Sequence, residues 1–196
     1  MVMSIKNRKK IANQRRKAIL TAAIAEFDDH GFENTKITDI AKAAGVSAGL
    51  IYHYFGSKVD ILKSYGSMIT DCQNYVLGLA TPLDSLKTFL RRVLLPYKKT
   101  KYHSPIRIII SCYANGSLEN ADDIFPFTDY GKNFLGGIIM KGQAAGQFRN
   151  GDAAMMGDVI WHTVIGYIIQ RYNYHQQFSE NVVDAILDTV MKHESP

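Results

Sequence analysis

The stretch Ile37–Gly56, ITDIAKAAGVSAGLIYHYFG, has the spacing of two short helices packed across a tight turn. Gly45 sits where that turn needs a left-handed backbone, which glycine adopts without a Cβ penalty. Ala41 is small enough to let the second helix approach the first, and Ile40, Val46, Ile51 and Tyr54 form their shared apolar seam. Ser47 is placed to cap the second helix, leaving free amides at its start that suit a phosphate. The outward face carries Ser47, Ala48, Gly49, Tyr52 and His53, small or polar groups that fit a major groove. A hairpin buried in a core would show large aliphatics on that face, and the basic residues Lys36, Lys42 and Lys58 surround it instead.

Charge extends this reading toward the amino terminus. The 196 residues carry 23 Lys and Arg against 18 Asp and Glu, a net charge of +5. The excess is concentrated in residues 1–60, and seven of the bases lie in one arm, Lys6, Arg8, Lys9, Lys10, Arg15, Arg16 and Lys17. A basic module beside a nearly neutral remainder implies a polyanionic partner at one end only. A signal peptide is disfavoured, because the apolar pattern after the arm keeps helical spacing through Phe27 up to Gly31. The longest uncharged apolar run toward the carboxyl end, Val159 to Ile169, is about half a membrane span and contains His162. The chain therefore reads as a cytoplasmic protein with no membrane partner. Cys72 and Cys112 lack metal-ligand spacing and read as thiols of a reducing compartment.

Hydrophobic periodicity and start signals are helical throughout, so the expected fold class is all-α. Ser57-Lys58-Val59-Asp60 and Thr81-Pro82-Leu83-Asp84 are capping-box patterns, the second with proline at the first helical position. About nine helices follow, at roughly 10–30, 38–45, 47–54, 57–79, 82–100, 104–115, 122–147, 152–173 and 179–193. Residues 106–113 are rich in β-branched side chains, but an isolated strand would have no partner, so a buried helix is expected there. The division expected is residues 1–56 for the helix-turn-helix domain and 57–196 for a larger helical domain.

With these pieces in place, Ala18–Lys63 resembles the amino-terminal domain of the tetracycline-repressor (TetR) family of bacterial regulators. The matching pieces are Ala22-x-x-x-x-Phe27-x-x-x-Gly31-Phe32, Thr35-x-x-Thr38-x-Ile40-Ala41, Ala44-Gly45-Val46-Ser47, Gly49-x-x-Tyr52-x-Tyr54-Phe55 and Lys58-x-x-x-Leu62. The resemblance covers about a quarter of the chain. It implies a three-helix DNA-binding domain on a helical domain that binds a ligand and dimerises. It implies further that Thr38 meets a phosphate, that Ser47, Ala48, Gly49, Tyr52 and His53 lie on the recognition helix, and that Lys58 holds a phosphate at the next helix start. Lys36 joins this DNA-binding set as an adjacent base.

For the larger domain the resemblance implies a small-molecule effector site without saying which residues form it. The candidates among its aromatic, thioether and polar groups are Tyr65, Met68, Tyr113, Tyr130, Phe134, Trp161 and His162; for any one of them core packing is the plainer role. Helix 57–79 is expected to act as the lever between Lys58 and the pocket. Two apolar stripes, Met156-Ile160-Val164-Tyr167 and Val183-Ile186-Leu187-Val190, are either internal or a partner face, and a homodimer joined through them is expected. No nucleophile elbow, dinucleotide loop, phosphate loop or His-x-x-x-His pair occurs, so neither an enzyme, a metal nor a cofactor is expected. The expectation is a regulator of transcription, a repressor released from palindromic operator DNA by its effector. The alternatives are a ligand-responsive activator, or a basic helical protein that binds nucleic acid or acidic lipid without a specific site.

Overall fold

The computed structural model describes residues 5–65, 73–95, 105–118, 124–125, 127–174 and 178–192. The fold is all-α; the described residues hold no strand, only an isolated antiparallel bridge between Phe148 and Met191. The helices are α1 Ile5–His30, α2 Ile37–Ala44, α3 Ala48–Tyr54, α4 Lys58–Lys63, α5 Pro82–Leu94 and α6 Pro105–Ala114. They continue as α7 Phe127–Tyr130, a π-helical segment Gly131–Leu135, α8 Gly136–Ala144, α9 Ala153–Tyr174 and α10 Glu180–Asp188. Residues 73–77 are also helical. The chain divides into two compact units, Met1–Tyr65 and Gly66–Pro196. The boundary thus falls after α4, whose Ile61 and Leu62 are fully buried, rather than before it at residue 56.

In the first unit Ile19, Ala23, Ile24 and Phe27 of α1 are buried together with Ile40 of α2, Ile51 of α3 and Phe55. The unit closes at Tyr65, whose hydroxyl donates to the Leu20 carbonyl of α1. Beside it the Arg16 guanidinium donates to Ser64 Oγ at 3.0 Å and lies 5.1 Å from the centre of the Phe55 ring. The expected helix 57–79 is helical at Lys58–Lys63 and 73–77, with a turn at Ser64 and Tyr65; its intervening residues, including Met68 and Cys72, lie outside the described residues.

Both capping-box starts read from sequence carry their caps, Ser57 in the first unit and Thr81 in the second. Thr81 Oγ1 accepts from the Asp84 amide at 3.0 Å, with Pro82 in the first turn of α5. The β-branched run is the helix α6, with Pro105 to Ile110 and Cys112 buried. Helix α9 is packed against the π-helical segment and α8 at backbone distance. A Cβ at Gly131 would stand 2.7 Å from Asp158 Cα and 2.7 Å from Trp161 Cβ, and one at Gly157 would collide with the Gly131 carbonyl and Gly136 backbone. Two ion pairs tie α5 to α10, Arg91 Nε to Glu180 at 2.9 Å and Lys87 to Asp184 at 3.7 Å.

Candidate nucleic-acid interface and aromatic core

The turn between α2 and α3 is built as its residue types require. Gly45 has φ 65° and ψ 35°, and its amide closes on Lys42 while the Val46 amide returns to Ala41. A Cβ there would meet nothing within 4 Å, so glycine serves the backbone angle and not the space. Ser47 is the extended N-cap of α3, its Oγ accepting from the Leu50 amide at 3.2 Å. At the start of α2 the Lys36 amide donates to Asp39 Oδ2 at 3.0 Å.

These caps and the buried Ile40, Ala41 and Ile51 hold one face of α3 outward. Ser47, Gly49, Tyr52 and His53 are exposed, Ala48 is half-buried, and a Cβ at Gly49 would again enter open space. Tyr52 is 57% exposed, unusual for a ring that size on a helix of seven residues. Thr38 and Lys36 are exposed at the start of α2.

Lys58 is differently placed. Its ammonium donates to the Phe32 carbonyl at 2.7 Å and the Glu33 carbonyl at 3.2 Å, and lies 4.7 Å from the centre of the Phe32 ring. It thereby stitches the start of α4 to the loop that follows α1. Nothing in its sequence neighbourhood revealed that job, because the carbonyls it serves lie some 25 residues earlier.

The effector candidates separate into groups. Tyr130, Phe134 and Trp161 come together in the second unit with Phe89 and Phe125. Ring centres are 4.6 Å apart for Tyr130–Trp161, 4.9 Å for Tyr130–Phe134, 4.5 Å for Phe125–Tyr130 and 5.8 Å for Phe89–Phe134. The π-helical segment, with its glycine against Trp161, sets these rings in one cluster. Tyr113 is 47% exposed, and His162 is exposed on α9 with Nδ1 2.8 Å from its own-helix Asp158 carbonyl. Tyr65 belongs to the core of the first unit, where burial holds its phenol well above the usual tyrosine range. Met68 falls outside the described residues.

Of the two readings of the apolar stripes, burial supports the internal one and not the dimer face. Met156, Ile160, Val164, Val183, Ile186, Leu187 and Val190 are buried within the single chain, because α9 and α10 use those faces to close the second unit. The apolar groups left outside on this unit include Met140, Met155 and Val159, at 60%, 57% and 57% exposure. The sequence reading also passed over Arg107, the basic residue within α6, which is 2% exposed. No group of His, Cys, Asp and Glu able to hold a metal occurs among the described residues, and none of their helices is long and apolar enough to cross a membrane.

A glycine-turned pair of short helices, the second capped by serine and showing a small polar face, defines the first unit as a helix-turn-helix domain. Residues 19–65, about a quarter of the chain, match the family described as bacterial regulatory proteins, tetR family. The chain is 52% identical over 58 residues to the HTH-type transcriptional regulator BetI of Agrobacterium fabrum, a match covering 29% of this chain and 28% of that one. Over the first curated relatives the match spans about a quarter to a half of their length. Among solved structures, the reduced form of E. coli NemR superposes with a TM-score of 0.71 at 16% identity, covering 93% of this chain and all of that one. AibR in complex with isovaleryl coenzyme A and operator DNA superposes with a TM-score of 0.61 at 22% identity, covering 90% of this chain and 98% of that one. These two likenesses concern the fold.

Proposed function

We propose that this protein is a ligand-responsive transcriptional regulator, a repressor that binds palindromic operator DNA as a homodimer and is released by a small-molecule effector. The observation that carries the reading is the outward face of α3, where Ser47, Gly49, Tyr52 and His53 stand exposed on a rigidly capped helix. Small residues let that helix enter a major groove closely, and Tyr52 and His53 are long enough to reach base edges. Thr38 and Lys36 flank the face as phosphate contacts. Lys58 contributes chiefly by fixing the loop after α1, with one of its three N–H donors left for a phosphate.

The effector reading rests on the aromatic cluster of the second unit. Tyr130, Phe134 and Trp161, joined by Phe89 and Phe125, offer ring faces and edges for a largely apolar ligand. Structural neighbours of the same fold include one solved with isovaleryl coenzyme A and operator DNA, which supports a ligand-coupled DNA switch of this architecture. Release then requires only that the effector favour the conformation with lower operator affinity. Coupling of about 1–3 kcal/mol changes that affinity roughly 5- to 150-fold. Met155 and Val159 on α9 are the proposed partner face, since the stripes closer to the interior are already covered.

The test is selection of bound duplexes from fragments of the source genome, followed by salt titration of the winner. A palindrome bound far above random DNA is the expected result. Uniform, salt-labile binding with no preferred site would overturn the operator reading.

A further inference from the structure

The first four turns of α1 carry a charge pattern that neither the core nor the recognition helix uses. Buried residues of α1 begin only at Ile19, so Ile5–Lys17 projects as an arm roughly 20 Å long at 1.5 Å per residue. Arg8, Lys9, Lys10, Arg15 and Lys17 are exposed, and none meets an acidic side chain among the described residues. Arg16 is the exception in the arm, being spent on Ser64 and Phe55.

The order of charge along α1 runs against its macrodipole. Bases crowd the amino-terminal turns, where no acid stands, while Glu26, Asp28 and Asp29 occupy the carboxyl-terminal turns. Both placements disfavour the isolated helix. Such an arrangement makes sense where an external anion meets the bases. On one stripe Asn7, Lys10, Gln14 and Lys17 follow at i, i+3, i+7 and i+10, and with Asn13 they line an open groove of about 600 Å³. Lysines supply point charges for phosphate oxygens there, and the amides between them supply further donors.

We propose that the Lys10–Lys17 stripe of α1 is a second contact to the sugar-phosphate backbone of duplex DNA, separate from the recognition helix. The proposal rests on the DNA-binding reading and adds a sequence-independent anchor to it. Its test compares two full-length variants that lose the same charge from opposite stripes, K10Q/K17Q and R8Q/R15Q. Both alter exposed side chains without fold contacts, and circular dichroism confirms that each folds. The probes are the selected duplex and a random-sequence duplex of equal length, each titrated with salt.

K10Q/K17Q is expected to lower the slope of log affinity against log salt by about two per protomer on both duplexes, with R8Q/R15Q close to the parent. Equal losses from both variants, or from neither, would overturn the assignment. Loss confined to phosphatidylglycerol vesicles, with duplex binding intact, would overturn it in favour of a membrane surface. A parent that prefers no palindrome yet loses random-duplex binding on K10Q/K17Q would sink the operator reading and leave the stripe standing.

Discussion

Ser47, Lys58 and Tyr65 show how single side chains divide the work between fold and function in the first unit. Ser47 satisfies an amide at the start of α3, and Ser47→Ala removes that bond at a cost of about 1 kcal/mol, read as a lower urea midpoint with unchanged slope. Operator affinity should fall with it, since the recognition helix frays at the end facing the groove. Lys58→Ala removes two charge-assisted bonds to backbone carbonyls, so it should lower stability as well as weaken all duplexes alike, with the salt slope reduced by about one. An unchanged slope beside lost stability would assign Lys58 to the fold alone.

Tyr65 adds a dependence on pH. Its buried phenol stays protonated well above the range where an unfolded tyrosine ionises, near 10. Above that pH the unfolded state binds fewer protons than the native state, so stability must fall as pH rises. Below it the contribution is constant. Tyr65→Phe should therefore lose the hydroxyl bond to Leu20, lowering stability by roughly 1 kcal/mol at neutral pH. It should also flatten part of the alkaline decline, as followed by denaturant titrations at pH 8 and pH 11.

Among the elements, the crossing of α9 with the π-helical segment and α8 is the most demanding. Gly157 faces backbone atoms of Gly131 and Gly136, so an added methyl has no flexible side chain to displace. Gly157→Ala should destabilise the second unit by several kcal/mol and loosen the ring cluster around Trp161. Gly137, one position beyond the seam, opens on empty space within a regular helix. Gly137→Ala should hold or raise stability by up to about 1 kcal/mol through helix propensity. Thermal unfolding of the two variants side by side checks the contrast. Helix α6 carries a related lesson. Its isoleucines have weak intrinsic preference for a helix, but the segment is buried on nearly every side and the described residues offer no strand to pair with it.

For the whole molecule, the division at Tyr65 separates the helix-turn-helix unit from a unit holding the aromatic core. Apolar side chains at Met155 and Val159 stand exposed by more than half on α9, a helix whose other large side chains are mostly interior. Val159→Glu should convert the proposed dimer to a monomer in sedimentation and weaken palindrome binding far more than half-site binding. A variant that stays dimeric would move the partner face elsewhere.

Local patterns in the chain were enough to establish the helix-turn-helix, its glycine turn, its serine cap, the start of α5 and the buried helical state of residues 105–114. Each depends on contacts within about four residues or on a single hydrophobic period, and such terms are written in consecutive letters. The reach of Lys58 to the Phe32 carbonyl, the enclosure of Tyr65, the glycine seam at Gly131 and Gly157, and the interior position of the Met156–Val164 stripe were decided by tertiary packing. These pair residues tens of positions apart, and an amphipathic period states that a face is covered without stating by what. A stripe that looks ready for a partner is therefore indistinguishable in sequence from one that its own chain has already buried.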